Sequence, residues 1–125
     1  MTEGIHDRFV SALAERASRL RVGPALVEST QIGPVVDAEQ LAQDIDYIEI
    51  SRKQGGVLRT GGDVLRQHTD GYFLQPALIT ETKPEMRINR EEVFGPVASV
   101  IRVRDYDEAL HVANDSDFGL SLIHI

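Results

Sequence analysis

Cysteine is absent from all 125 residues of this chain. Its absence excludes disulfide bonds, zinc–thiolate sites and a thiolate nucleophile among these residues. The remaining common zinc ligands are four histidines, and no two of them have the spacing of a metal site. We therefore predict no metal-binding residue. The histidines are His6, His68, His111 and His124.

The sequence also lacks the run of about 18 apolar residues that a membrane-spanning helix requires. No basic segment followed by an apolar stretch opens the chain, so we expect no signal peptide and a cytoplasmic protein. Thirteen basic residues stand against 20 acidic ones, which gives a net charge of −7. Because the arginines are dispersed among carboxylates, we expect neither a nucleic acid nor a membrane as a partner.

Two amphipathic helices are predicted in the first half of the chain. Apolar residues recur every three or four positions from Ile5 to Leu20, and Gly23-Pro24 ends that pattern. Asp37 is a predicted N-cap, with Gln40 completing a capping box three residues later. In this second helix Leu41, Ile45 and Ile48 form the predicted apolar face. The predicted solvated face consists of Gln43, Asp44, Asp46, Glu49 and Arg52.

Short extended segments dominate the second half. The glycines of 55–62 are read as turns rather than a dinucleotide fingerprint, because no strand leads into them and no helix follows directly. The apolar run Val97–Val103 is typical of a covered parallel strand. Together the elements predict an α/β fold. The other predicted elements are strands at 57–59, 72–80 and 118–121, a loop at 63–70, a turn at 82–85 and a helix capped by Asp105.

The segment Glu91–Val97 places two carboxylates, an aromatic ring and a Gly-Pro break directly before the strongest predicted strand. A carboxylate there can accept hydrogen bonds from both hydroxyls of a ribose, because it has two oxygens and no proton to donate. An aromatic ring two residues later can pack beside a sugar or nicotinamide. The residue types alone also fit solvated glutamates and a core phenylalanine.

The same segment resembles the Glu-Glu-Ile/Val-Phe-Gly-Pro-Val motif of the aldehyde dehydrogenase superfamily. In that family the second glutamate binds the nicotinamide ribose and the phenylalanine packs beside the cofactor. The resemblance therefore assigns cofactor contacts to Glu92 and Phe94, with NAD or NADP as the cofactor. Further similar segments follow the family order, at 32–37, at 72–78, and at Asn114 with 118–121.

A third cofactor contact is implied on the predicted second helix. Many family members use a glutamine and a lysine there to hold the adenosine ribose. Gln40 stands at the glutamine position, where capping is the competing role, and Gln43 stands where the lysine is expected.

The family's chemistry uses a cysteine nucleophile and a general-base glutamate, both upstream of the segments matched here. No catalytic residue is therefore assigned within this chain. We expect the chain by itself to be inactive.

The resemblance implies that residues 1–121 are the C-terminal part of the αβα three-layer catalytic domain, with a mostly parallel sheet that is incomplete at both ends. Residues 122–125 depart from the family pattern and are interpreted as a non-native tail. The parent enzyme is expected to form a homodimer or homotetramer. Its substrate is an aldehyde that it oxidises to a carboxylic acid.

Segments 2–10 and 75–78 are most similar to bacterial α-ketoglutarate semialdehyde (2,5-dioxovalerate) dehydrogenases, which suggests that substrate. Succinate semialdehyde or a general aliphatic aldehyde is the alternative substrate. A non-catalytic α/β binding or interaction module is the alternative class. A cysteine encoded shortly upstream would favour the enzyme, whereas a genuine start codon without one would favour the module.

Overall fold

The computed structural model describes residues 1–67 and 70–116. Within them the chain forms four helices and five strands, which confirms the α/β class. The predicted strand at 118–121, the tail at 122–125, His68 and His124 lie outside the described residues. The elements are α1 (Glu3–Ser18), α2 (Ala38–Lys53), β1 (Val57–Thr60), β2 (Val64–Leu65), β3 (Phe73–Leu74), β4 (Ala77–Thr82), α3 (Arg87–Arg90), β5 (Val97–Ile101) and α4 (Tyr106–Asn114).

The main sheet has the order β1-β4-β5, so β4 is its central strand. β4 pairs with β5 in parallel and with β1 antiparallel, and β2 and β3 form a separate antiparallel pair. In the described residues the sheet is therefore mixed, with one parallel and one antiparallel pairing, where the resemblance implies a mostly parallel sheet for the whole domain. The connections explain the difference, because a parallel pair needs a long crossover. The 83–96 crossover contains α3, whereas the β2–β3 hairpin returns the chain antiparallel to β1.

Side chains of β4 point alternately to the two faces of the sheet and help to build two cores. Leu78 packs with Val10 of α1 and Val100 of β5 on one face. Ile79 packs on the other face in a cluster that includes Ile48 of α2. Helices thus cover both faces, as expected for part of an αβα three-layer domain.

The predicted N-terminal helix is confirmed, but its ends and its buried face differ from the prediction. α1 ends at Ser18, ahead of the predicted stop at Gly23-Pro24. His6 and Val10 are the buried residues, whereas Ile5 and Phe9 are each 38% exposed. The buried residues of α1 are four positions apart and therefore lie on one side of the helix, the side on which Val10 packs against the sheet.

The predicted loop at 63–70 is wrong at one point, since Val64–Leu65 pairs with Phe73–Leu74. The two residues of β3 are almost fully buried and anchor this short ladder. Pro76 lies between β3 and β4, where its missing N–H removes no ladder hydrogen bond. The short helix α3 was not predicted. None of the helices in the described ranges is long and apolar enough to cross a membrane.

Gly61 gives the first testable prediction. Its φ is +73°, and a Cβ there would overlap the carbonyl oxygen of Pro76. Gly61→Ala combines left-handed strain with a backbone clash, so we expect the free energy of unfolding to fall by about 3 kcal/mol or more. Urea denaturation measures the change.

Gly55→Ala is the matched control, because Gly55 also has a positive φ of +104° but faces open space. Its expected loss is about 1 kcal/mol, from backbone strain alone. Equal losses for the two variants would contradict the role of the Pro76 clash.

Candidate functional site

The loop between α3 and β5 contains the Glu-Glu-Val-Phe-Gly-Pro sequence and is built around one inward and one outward side chain. Val93 is buried and packs into the cluster formed with α2 and α3. Phe94 is 74% exposed and has a φ of +57°. This left-handed conformation is unfavourable for a residue with a side chain, so the surrounding contacts must hold it. The backbone thereby presents the Phe94 ring at the surface.

Glu91 is engaged within the protein. The Tyr47 hydroxyl donates a hydrogen bond to it at 2.5 Å, and Arg87 Nε lies 2.8 Å from both carboxylate oxygens. The Arg87 guanidinium also lies 4.9 Å from the centre of the Tyr47 ring. The Tyr47 and Arg87 hydrogen bonds hold the pKa of Glu91 below its usual value. Glu91 thus fastens the start of the loop to α2.

Glu92 differs from its neighbour. Its side chain is exposed and makes no hydrogen bond or ion pair with any residue of the described ranges. It borders an open depression of about 440 Å³, which is also lined by Ile88, Phe94 and Val97. A free carboxylate beside an exposed aromatic ring can accept hydrogen bonds from a vicinal diol while the ring packs against an apolar or aromatic group. The two glutamates are equivalent in the sequence but not in the structure.

Helix α2 holds the middle of the loop through two side-chain amides. Gln40 Nε2 lies 2.8 Å from the Val93 carbonyl oxygen, and Gln43 Nε2 lies 3.2 Å from the same atom. Asp37 does cap α2, because its carboxylate accepts from the Gln40 backbone N–H at 2.8 Å. The Gln40 side chain does not complete the capping box and points to the loop instead. Its adenosine contact stays a prediction.

Asp44 was predicted on the solvated face of α2, and this prediction is wrong. Its carboxyl is fully buried and lies so close to Gly95 that a Cβ at position 95 would overlap it. Oδ1 accepts a hydrogen bond from Gln40 at 2.8 Å, whereas Oδ2 has no hydrogen-bond partner within the described ranges. Burial raises the pKa of this carboxyl.

A sequence pattern could have indicated this burial. Residues whose side chains can form hydrogen bonds recur along α2 at spacings of four, three and four, so they lie on one side of the helix. Three of these residues are buried and the first is half-buried. A buried face predicted from aliphatic residues alone leaves out Asp44 and also Tyr47, whose hydroxyl holds Glu91. The four residues are Gln40, Asp44, Tyr47 and Ser51.

The candidate site contains no cluster of metal ligands. Within residues 1–67 and 70–116, no group of three or more histidine, cysteine, aspartate or glutamate side chains is arranged to hold a metal ion. The depression beside Glu92 is lined by apolar surface and by the carboxylates of Glu91 and Glu92. Glu91 is already bonded to Tyr47 and Arg87, so Glu92 is the carboxylate left to accept hydrogen bonds from a ligand.

Comparison with known proteins agrees with the motif. The family model described as "Aldehyde dehydrogenase family" matches residues 1–123. Betaine aldehyde dehydrogenase from Mesorhizobium japonicum is 44% identical over 120 residues, and α-ketoglutarate semialdehyde dehydrogenase from Haloferax volcanii is 44% identical over 121. These alignments cover 94% and 95% of this chain but 25% of each relative. The chain thus spans about a quarter of the length of the curated relatives it matches.

The fold agrees as well. The crystal structure of betaine aldehyde dehydrogenase from Staphylococcus aureus in complex with NAD⁺ superposes with a TM-score of 0.90 and 34% sequence identity. The match covers 95% of this chain and 24% of that one. The described elements therefore adopt the arrangement found in that part of a complete dehydrogenase.

Asp44 leads to a prediction about pH. Burial holds its pKa above the ordinary value of 3.8, so the folded chain keeps this proton at pH values where the unfolded chain has lost it. The stability that Asp44 contributes should therefore fall as pH rises from 3.8 through the folded-state pKa, and stay constant above it. Asp44→Asn has no proton to lose at this position. Its free energy of unfolding should rise relative to the wild type across that window.

Urea denaturation at a series of pH values measures this difference. Asp46→Asn is the control, because it removes a carboxylate from an exposed position of the same helix. Parallel pH profiles for the wild type and Asp44→Asn would show that the carboxyl of Asp44 titrates as it does in the unfolded chain.

Proposed function

Because this chain belongs to the aldehyde dehydrogenase family, we propose that it forms the cofactor-facing side of an NAD(P)-dependent enzyme that oxidises an aldehyde to a carboxylic acid. The observation that carries the proposal is the pairing of a free, exposed Glu92 carboxylate with an exposed Phe94 ring. The loop presents both side chains to the same open depression. Both also stand at the positions that bind the cofactor in the family motif.

The residues of the depression fit a nicotinamide nucleotide. Glu92 has two acceptor oxygens for the two hydroxyls of a ribose, and Phe94 offers a flat apolar surface beside it. Gln40 is the proposed contact to the adenosine ribose. When bound, NAD(P)⁺ would supply the hydride acceptor of the oxidation. In these roles Glu92, Phe94 and Gln40 bind and orient the cofactor.

The chemical groups that attack the aldehyde are not among these residues. No cysteine is present to act as the nucleophile. Glu91 is unsuited to act as a general base, because Tyr47 and Arg87 already donate to its carboxylate and lower its pKa. We assign the nucleophile and the general base to parts of a complete dehydrogenase other than residues 1–125.

For the substrate, α-ketoglutarate semialdehyde is one proposal, supported by the Haloferax volcanii relative and by the similarity at segments 2–10 and 75–78. Betaine aldehyde is supported equally, because the Mesorhizobium japonicum relative has the same 44% identity. The first substrate is anionic and the second cationic, so the ratio of their kcat/KM values in the complete enzyme would separate them. Succinate semialdehyde and an aliphatic aldehyde complete that comparison.

A cytoplasmic location and a homodimer or homotetramer belong to the same proposal, through the family resemblance. The alternative is a non-catalytic binding module with this fold. Such a module would leave Glu92 without a cofactor role, so substitution of Glu92 discriminates between the two.

Neutralising the two glutamates in turn tests the proposed site. In the complete dehydrogenase carrying this sequence, Glu92→Gln should raise the KM for NAD⁺ at least about tenfold, because charge-assisted hydrogen bonds to the ribose are lost. Glu91→Gln is the matched control. It should leave that KM within about twofold and lower the free energy of unfolding slightly, since within the described residues the Glu91 carboxylate pairs with Tyr47 and Arg87. An unchanged KM in Glu92→Gln would sink the proposal.

The chain alone gives a second test. Purified residues 1–125 mixed with NAD⁺ and an aldehyde should show no steady formation of NADH at 340 nm, because they contain no thiol to form the covalent intermediate. The complete dehydrogenase under the same conditions is the positive control. Sustained turnover by the chain alone would overturn the assignment of the nucleophile to other residues.

A further inference from the structure

The side-chain amide of Gln40 is held in one orientation by two acceptors. Its nitrogen lies 2.8 Å from Asp44 Oδ1 and 2.8 Å from the Val93 carbonyl oxygen. An amide nitrogen carries two protons, so both are used. Rotating the amide by 180° would set its oxygen against two acceptor oxygens. The remaining group of Gln40 available to a ligand is therefore Oε1, an acceptor suited to a hydroxyl.

Asp44 supplies the second of the two acceptors that hold this orientation. The Val93 carbonyl also accepts from Gln43, so it does not depend on Gln40 alone. Asp44 Oδ1 has Gln40 as its hydrogen-bond donor and lies on the same helix, one turn away. A proton on this carboxyl would reside on Oδ2, so Oδ1 stays an acceptor in both ionisation states. Without that acceptor, one amide proton of Gln40 would lack its partner.

The same carboxyl supports the loop from below. Asp44 is fully buried and occupies the space that a side chain at Gly95 would fill. Gly95 directly follows Phe94, the residue held at a φ of +57°. One buried side chain thus touches the backbone beside Phe94 and fixes the amide of Gln40. A charged or chargeable group is costly to bury with one oxygen unpaired, so a purely structural position would favour an apolar residue.

We infer that Asp44 is a positioning residue of the cofactor site. It aligns the Gln40 amide so that Oε1 faces the ligand, and it supports Gly95 so that Phe94 and Glu92 keep their outward geometry. This inference rests on the proposed function. It adds that the contact to the adenosine ribose and the contact to the nicotinamide ribose both depend on Asp44, which itself does not touch the cofactor.

Two substitutions at position 44 distinguish the alignment of the Gln40 amide from the filling of space beside Gly95. Asp44→Leu keeps the branched shape but removes the acceptor, whereas Asp44→Asn keeps an acceptor oxygen in nearly the same volume. Ser51→Ala is the matched control on α2, because the Ser51 hydroxyl is also buried but donates to the Tyr47 carbonyl and to no other group of the described residues. Where Asp44→Leu does not fold, Asp44→Ala removes the acceptor without adding bulk.

The first readout needs no cofactor. In the ¹⁵N-labelled 125-residue chain, the two Gln40 side-chain amide protons should exchange slowly in the wild type and in Asp44→Asn. In Asp44→Leu they should exchange at least about tenfold faster, and the backbone shifts and coupling constant of Phe94 should move away from left-handed values. Ser51→Ala should match the wild type in both measurements. Unchanged Gln40 exchange and Phe94 shifts in Asp44→Leu would overturn the inference.

The second readout is kinetic and uses the complete dehydrogenase. Asp44→Leu should raise the KM for NAD⁺ about tenfold with kcat within about twofold, because binding geometry is lost and the reacting groups are untouched. Asp44→Asn, which keeps an acceptor oxygen, should have the KM of the wild type, and so should Ser51→Ala. If Glu92→Gln raises the KM and Asp44→Leu does not, the inference fails and the proposed function stands. If Glu92→Gln has no effect, the proposed function itself fails.

Discussion

The carbonyl oxygen of Val93 is the point on which the geometry of the site depends. It accepts hydrogen bonds from the side-chain amides of Gln40 and Gln43, which precede it by 53 and 50 residues. Those bonds tie the loop before β5 to the first half of α2. Val93 is held inward and Phe94 turns outward, at a backbone angle that few residues adopt unaided. A change in the packing of α2 would therefore reach the proposed cofactor contacts.

The central strand explains why α2 is placed accurately enough for this task. β4 is buried on both faces, with Leu78 directed toward α1 and Ile79 toward α2. Removing either side chain would leave a cavity at the centre of a close-packed layer. The sheet thus sets the position of α2, and α2 sets the loop. The buried side chain of Asp44 extends from α2 to the loop and lies against Gly95.

Local pattern was sufficient for most of the regular structure. Helices α1, α2 and α4, the caps at Asp37 and Asp105 and the strand at 97–101 follow from apolar period and capping chemistry. The strand directions did not follow, because pairing is a long-range property. β2 was missed for a related reason, since two residues form a strand only when a partner such as Phe73–Leu74 is already in place.

By itself, the sequence determined the family, because the Glu91–Val97 motif and its neighbouring segments occur in the order found in that family. The sequence also excluded a thiol nucleophile by composition. Only the tertiary structure decided which glutamate is free. Two adjacent carboxylates are alike as residues, and the difference arises because Tyr47 and Arg87 reach Glu91 but not Glu92. Likewise, the burial of Asp44 depends on which side of α2 meets the loop, and helical period alone leaves that rotation open.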